Sequence, residues 1–128
     1  MAWSFSGDKP IFSQLVERII LDILTGRYAP GDRLPTVRDL AIEAGVNPNT
    51  VQHALSEAES TGLIVVKRGD GRFVTSDEET IGRIREKHVG DLADSYVSSL
   101  RSFGLSDSDV EDITRKAINS ERKDLNHG

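Results

Sequence analysis

Apolar residues punctuate this chain at two different periods. Between Ile11 and Leu24, the residues Ile11, Leu15, Ile19, Ile20, Ile23 and Leu24 mostly recur at helical steps, the spacing that lines one face of an α-helix. Gly26 follows as a stop, and Arg27 to Asp32, with Pro30 and Gly31, reads as a turn. A second set, Leu34, Val37, Leu40, Ala41 and Ala44, repeats the helical step and ends at Gly45, where a helix needs a left-handed residue. Asn47-Pro48 restarts the chain. An Asn cap followed by Pro, which has no N–H to leave unpaired, predicts a third helix over about Pro48 to Thr61. After Gly62 the pattern changes. Leu63 to Val66 and Phe73-Val74 are short β-prone runs around Lys67-Arg68-Gly69-Asp70-Gly71-Arg72, which reads as a hairpin with a basic tip.

From about Ser76 the helical period returns. Ile81, Ile84, Val89, Leu92, Ala93, Tyr96, Val97 and Leu100 make one stripe, with Arg83, Arg85, Glu86, Lys87, Asp91 and Asp94 largely elsewhere. Phe103-Gly104-Leu105 breaks it. Ser106 with Asp109 resembles a capping box and opens a further helix carrying Val110, Ile113, Ala117 and Ile118. The tail from about Arg122 is polar, and fraying is expected there. Two helices of this size cannot enclose a metabolite pocket of ordinary volume. They can pair with a second copy or cap the preceding domain, and pairing is the favoured expectation.

Helix, tight turn, helix and basic hairpin is the plan of a winged helix-turn-helix. On the third helix Val51, Ala54, Leu55 and Ala58 share one side, while Asn49, His53, Ser56 and Ser60 lie opposite, flanked by Thr50 and Gln52. Such a polar stripe is also what an ordinary solvated helix shows. Short hydrogen-bonding groups near the N-terminus, with acid held back to Glu57 and Glu59, are what a helix in the major groove requires. A Gly-Asp-Gly turn alone is most often just a solvated turn. Straight after a helix-turn-helix it reads as a wing, on the DNA backbone or in the minor groove. For Arg33, bracing the loop against a phosphate and pairing with Asp32 are equally open.

Net charge is −5 and the pI about 5.2, which counts against nucleic-acid binding until its distribution is considered. From Arg33 to Val74 five Lys/Arg face five Asp/Glu, so this piece is neutral and a specific, salt-sensitive interaction with little non-specific affinity is expected. The chain has 128 residues, enough for one modest domain and an appendage, and no cysteine. It shows no signal-peptide pattern and no long apolar run, so a cytoplasmic site of action is expected. No GxSxG, P-loop or HExxH motif occurs, and His53, His88 and His127 are too scattered to suggest a metal or acid–base group. An enzyme and a cofactor are therefore not expected. His88, beside the tail stripe, reads as a half-buried packing residue, and Ser95, Ser98, Ser99 and Ser102 as a solvated face.

The run from Lys9 to Val74, with its opening KPIF, the ILTGRYAPGDRLPTVRDLA block, the GVNPNTV turn and the RGDGRFV wing, resembles the DNA-binding domain of the GntR family of bacterial transcription regulators. The resemblance implies that Arg38 of the LPxxR segment contacts DNA from the scaffold helix. It also implies that Asn47, Asn49, Thr50 and Gln52 meet bases and phosphates, and that Arg68 and Gly69 approach the minor groove. Many relatives carry Arg where this chain has Pro48 or Gln52, so no operator sequence carries over. The short two-helix tail is similar to the YtrA-like group of that family, compact dimeric repressors often tied to transporter genes.

Together these readings predict an α+β protein. A winged helix-turn-helix over residues 9–76, three helices plus a β-hairpin wing, precedes a short two-helix dimerisation region over 79–122. The expected function is a sequence-specific transcriptional regulator, a repressor, binding a near-palindromic double-stranded operator as a homodimer. Candidate DNA contacts are Arg33, Thr36, Arg38, Asn47, Asn49, Thr50, Gln52, His53, Lys67, Arg68, Gly69 and Gly71. Val89, Leu92, Tyr96 and Leu100 are the candidate dimer seam. The alternatives are a winged-helix protein–protein adaptor and a regulator gated by a small effector at the dimer seam.

Overall fold

The computed structural model describes the chain from Trp3 to His127, and its side chains as far as Lys123. In order the elements are α1 (Ile11–Leu24), α2 (Val37–Ala44), α3 (Pro48–Glu59), β1 (Ile64–Lys67), β2 (Gly71–Val74), α4 (Glu78–Arg101) and α5 (Asp107–His127). The chain divides into two compact units, residues 1–85 and 86–128.

In the first unit, α1 and α2 both pack on α3. Leu15, Ile23, Val51, Leu55, Leu63 and Val74 are fully enclosed. Ile11, at the head of the predicted stripe, is instead 48% exposed, because the first turn of α1 overhangs the core. Thr36 caps α2 by accepting from the Asp39 N–H at 3.1 Å, and Gly45 ends it at φ +72°. Leu34 is buried but does not belong to α2, contrary to its place in the helical spacing. Pro35 and the Thr36 cap delay the helix, and residues 31–34 run alongside β2 instead. Leu34 N–H donates to Arg72 O at 2.8 Å, Val74 N–H to Asp32 O at 2.8 Å, and Arg33 bridges Phe73. This short segment extends the antiparallel β1–β2 hairpin, in which Ile64 faces Val74 and Lys67 faces Gly71.

Three further features were hidden in the sequence. Trp3 and Phe5 pack on the core from the N-terminal arm, with Arg18 over the Trp3 ring at 4.4 Å. Buried Asp22 is held by Arg18 at 3.4 Å and Arg27 at 3.2 Å, and Arg27 reaches on to Glu43 of α2 at 2.8 Å. That pairing offsets the cost of a carboxylate in the core and fixes the turn after α1. Third, Ile81 is buried with the winged core, Ile84 packs against it, and Arg85 Nε donates to Leu24 O at 2.8 Å. The opening turns of α4 thus complete the first unit. Their apolar residues do not extend the stripe of the tail, although the helical spacing cannot tell the two apart.

In the second unit, Phe103 to Leu105 form the turn, with Gly104 at φ +80°. The capping box is reciprocal: Ser106 N–H donates to Asp109 Oδ2 at 3.1 Å and Asp109 N–H to Ser106 Oγ at 3.2 Å. The Tyr96 hydroxyl meets Thr114 Oγ1 at 3.1 Å. α5 continues to His127, with no Gly or Pro to interrupt it before then. His88 is exposed, not half-buried, because this stretch of α4, its apolar Val89 and Leu92 included, is left uncovered.

Candidate nucleic-acid interface

α3 is set by its first four residues. Asn47 Oδ1 accepts from the Asn49 N–H at 2.8 Å and Pro48 occupies the first helical position. The inner face, Val51, Ala54, Leu55 and Ala58, is buried, so the opposite face is turned to solvent. It carries Asn49, Gln52, His53 and Ser56, all exposed, with Thr50 half-buried. The first turn has no acidic residue. The positive end of the helix dipole therefore faces solvent, while its first N–H groups are satisfied by Asn47, that of Asn49 by the side chain and those of Thr50 and Val51 by the backbone carbonyl. Gln52 makes only a long contact to Ser56 Oγ, 3.5 Å, and its amide remains available. The Asn47 side-chain carbonyl is committed to the cap that the Asn-Pro pair predicts. Thr36 is likewise a cap.

The cations of the hairpin are distributed differently from the expected basic tip. Arg72 pairs with Glu59 at the end of α3, and Lys67 Nζ sits 4.5 Å over the Phe73 ring. Only Arg68 stands at the tip, on a turn closed by Asp70 N–H to Lys67 O at 2.9 Å with Gly69 at φ +84°. The reason is register: Arg72 lies inside β2 opposite Val66, where α3 supplies a carboxylate within reach. Arg33 is exposed at the base of the wing with its guanidinium against Gly71. Among the described residues it pairs with no acid, and Asp32 is spent on the Ala29 N–H at 2.8 Å. Arg38 is exposed near the start of α2. The helix start, Arg38 and the wing therefore offer donors and cations on elements locked by capping, sheet and core.

One feature of this face had no sequence signal beyond an off-stripe aromatic. Phe12 of α1 and Thr50, His53, Ser56 and Glu57 of α3 line an open groove of about 440 Å³. Among the described residues no cluster of His, Cys, Asp or Glu could hold a metal, and no helix is long and apolar enough to cross a membrane.

Residues 12–74 match the bacterial regulatory proteins of the gntR family. The HTH-type transcriptional regulator YhcF of Bacillus subtilis is 32% identical over 106 residues, 83% of this chain and 88% of that protein. The chain belongs to the GntR family. The HTH-type transcriptional repressor YtrA of Bacillus subtilis is 39% identical over 71 residues, covering 56% of this chain and 55% of that one. A GntR family transcriptional regulator from Listeria monocytogenes superposes with a TM-score of 0.83 at 34% identity, over 88% of this chain and 98% of that one. The DNA-binding domain of AraR in complex with operator ORX1 superposes at 0.52 and 30% identity, over 56% of this chain and 93% of that one. This member of the GntR family is a winged helix-turn-helix transcriptional regulator.

In the second unit of this GntR regulator the candidate seam residues Val89, Leu92 and Tyr96 are exposed, Leu92 to 73%, and Leu100 is half-buried. Phe103 and Ile118 are also exposed, and Val110 is the only buried residue among those described after Arg85.

Proposed function

We propose that this regulator is a cytoplasmic repressor that binds a near-palindromic operator as a homodimer. Asn49, Thr50 and Gln52 read base edges, while Arg33, Arg38, Lys67 and Arg68 meet the backbone or minor groove, with Gly69 and Gly71 allowing close approach. Asn47 and Thr36 hold the two helix starts. The observation that carries the reading is the α3 face itself: capped, free of acid in its first turn and flanked by arginines on α2 and the wing. The operator complex of the related AraR domain supports the same use of the fold, and the repressor name of YtrA supports the direction of control.

Pairing is supported by the open stripe of Val89, Leu92 and Tyr96, which the second unit, with Val110 its one buried residue among those described, leaves uncovered. A two-fold pair would set two copies of α3 in half-sites about 34 Å apart. Titration of duplexes tiled across its own promoter, at two salt concentrations, tests the reading. One duplex should bind far more tightly than random sequence, with log affinity falling steeply against log salt. Equal, salt-independent binding of all duplexes would refute it.

A further inference from the structure

α3 has no lysine or arginine, and its ionisable residues are His53, Glu57 and Glu59. Glu59 is neutralised by Arg72 of the wing. His53 is exposed and, among the described residues, engages no hydrogen bond or ion pair within the chain. It walls the groove with Phe12, Thr50, Ser56 and Glu57. Phe12, the contribution of α1, brings no charge, so Glu57 is the only other ionisable group in the lining, one helical turn beyond His53. Imidazole is the side chain whose charge ordinarily changes between pH 5 and 8. His53 brings that side chain to the outer face of α3.

We propose that His53 is a proton-linked DNA contact, its imidazolium meeting a backbone phosphate at the mouth of this groove. The inference rests on the reading above that the outer face of α3 meets DNA. A phosphate beside an imidazole favours its protonated form. Binding then takes up a proton, and by linkage affinity rises as pH falls. Carboxylates ordinarily ionise well below this window, so the proton exchanged is assigned to the imidazole. The arginines set the basal affinity and His53 adjusts it.

The test is fluorescence-anisotropy titration of the full chain with tiled promoter duplexes and a random duplex at about pH 6, 7 and 8 and fixed ionic strength. From pH 8 to pH 6 the affinity for both kinds of duplex should rise about three- to tenfold, and the salt slope should steepen by about one unit. His53→Gln, an exposed change whose fold circular dichroism confirms, should lose the rise from pH 8 to pH 6, each affinity being compared with the variant's own value at pH 8. His88→Gln, in the second unit, should keep it. A rise that survives in His53→Gln, or specific binding by the wild type that ignores pH, would overturn the inference while leaving the DNA reading intact. Absence of promoter preference at every pH would instead bring down the DNA reading, and this inference with it.

Discussion

The guanidinium of Arg33 lies against Gly71, where an added Cβ would come within 3.4 Å of both Nε and Nη2. The glycine also sits at φ +117°, a backbone conformation that a side chain strains. The backbone thus requires glycine, while an added Cβ would only touch the guanidinium, and Arg33 is held over it by the bridge to Phe73. Gly71→Ala should cost about 1–3 kcal/mol in urea unfolding and disturb the backbone under Arg33. Arg33→Ala should fold with near wild-type stability yet bind operator and random duplexes equally less well. Wild-type stability and affinity in Gly71→Ala would dissolve the relationship.

Asn47 and Asn49 are two residues apart and do different work. Loss of the Asn47 cap in Asn47→Ala should lower stability by about 1 kcal/mol. Asn47→Asp, whose carboxylate also caps, should restore the melting temperature but weaken DNA binding through its charge. Asn49→Ala should leave the melting temperature alone and cost about 1–3 kcal/mol on the operator, with random-duplex binding nearly intact. Equal losses on operator and random DNA would remove Asn49 from base reading.

Asp77 starts α4, accepting from the Thr80 hydroxyl at 2.7 Å and from the Thr80 and Glu79 N–H groups at 3.3 and 3.1 Å. The side-chain bond from Thr80, then the backbone bonds, favour the ionised carboxylate and lower its pKa from 3.8. A depressed folded value means stabilisation that is present above the unfolded pKa and lost as pH falls through the folded one. Asp77→Ala should therefore melt below the wild type at pH 7, and the gap should close as pH drops below the carboxylate range. A gap that stays constant down to about pH 2.5 would show that the ionised cap contributes nothing.

Helix starts and stops were legible because they depend on one or two residues: Asn47-Pro48, Gly45 and the Ser106–Asp109 pair all act as their residue types require. Leu34 misled because an extended residue just before a cap can bury its side chain at helical spacing. The distribution of wing charge was illegible for a different reason. Arg68 and Arg72 look alike in sequence, and only the register against Val66 and the reach of Glu59 neutralise one of them. Arg68→Ala should accordingly weaken binding to all duplexes and flatten the salt slope by about one unit if it meets phosphate, whereas Arg72→Ala should chiefly loosen the wing. Interchanged effects in melting and binding assays would mean the two charges have been misassigned.

The boundary between the units makes the sharpest prediction. The sequence pattern ends the winged domain at residue 76, but Ile81 lies in its core, 5% exposed, and Arg85 closes onto Leu24 O. A chain ending at residue 79 should be destabilised by about 2–4 kcal/mol, as when a large core side chain is removed. One ending at residue 88 keeps these contacts and should melt close to the winged domain of the full protein. It should sediment as a monomer, whereas the full chain should sediment as a dimer. Its operator affinity should fall by about 10² to 10⁴, the factor commonly gained by tethering a second reader. Leu92→Glu with Tyr96→Glu in the full chain should reproduce most of that loss, since both residues are exposed on the stripe. A fragment ending at 88 that still dimerises, or that holds the whole operator as tightly as the full chain, would mean that pairing belongs to the winged unit and that the exposed stripe serves something else.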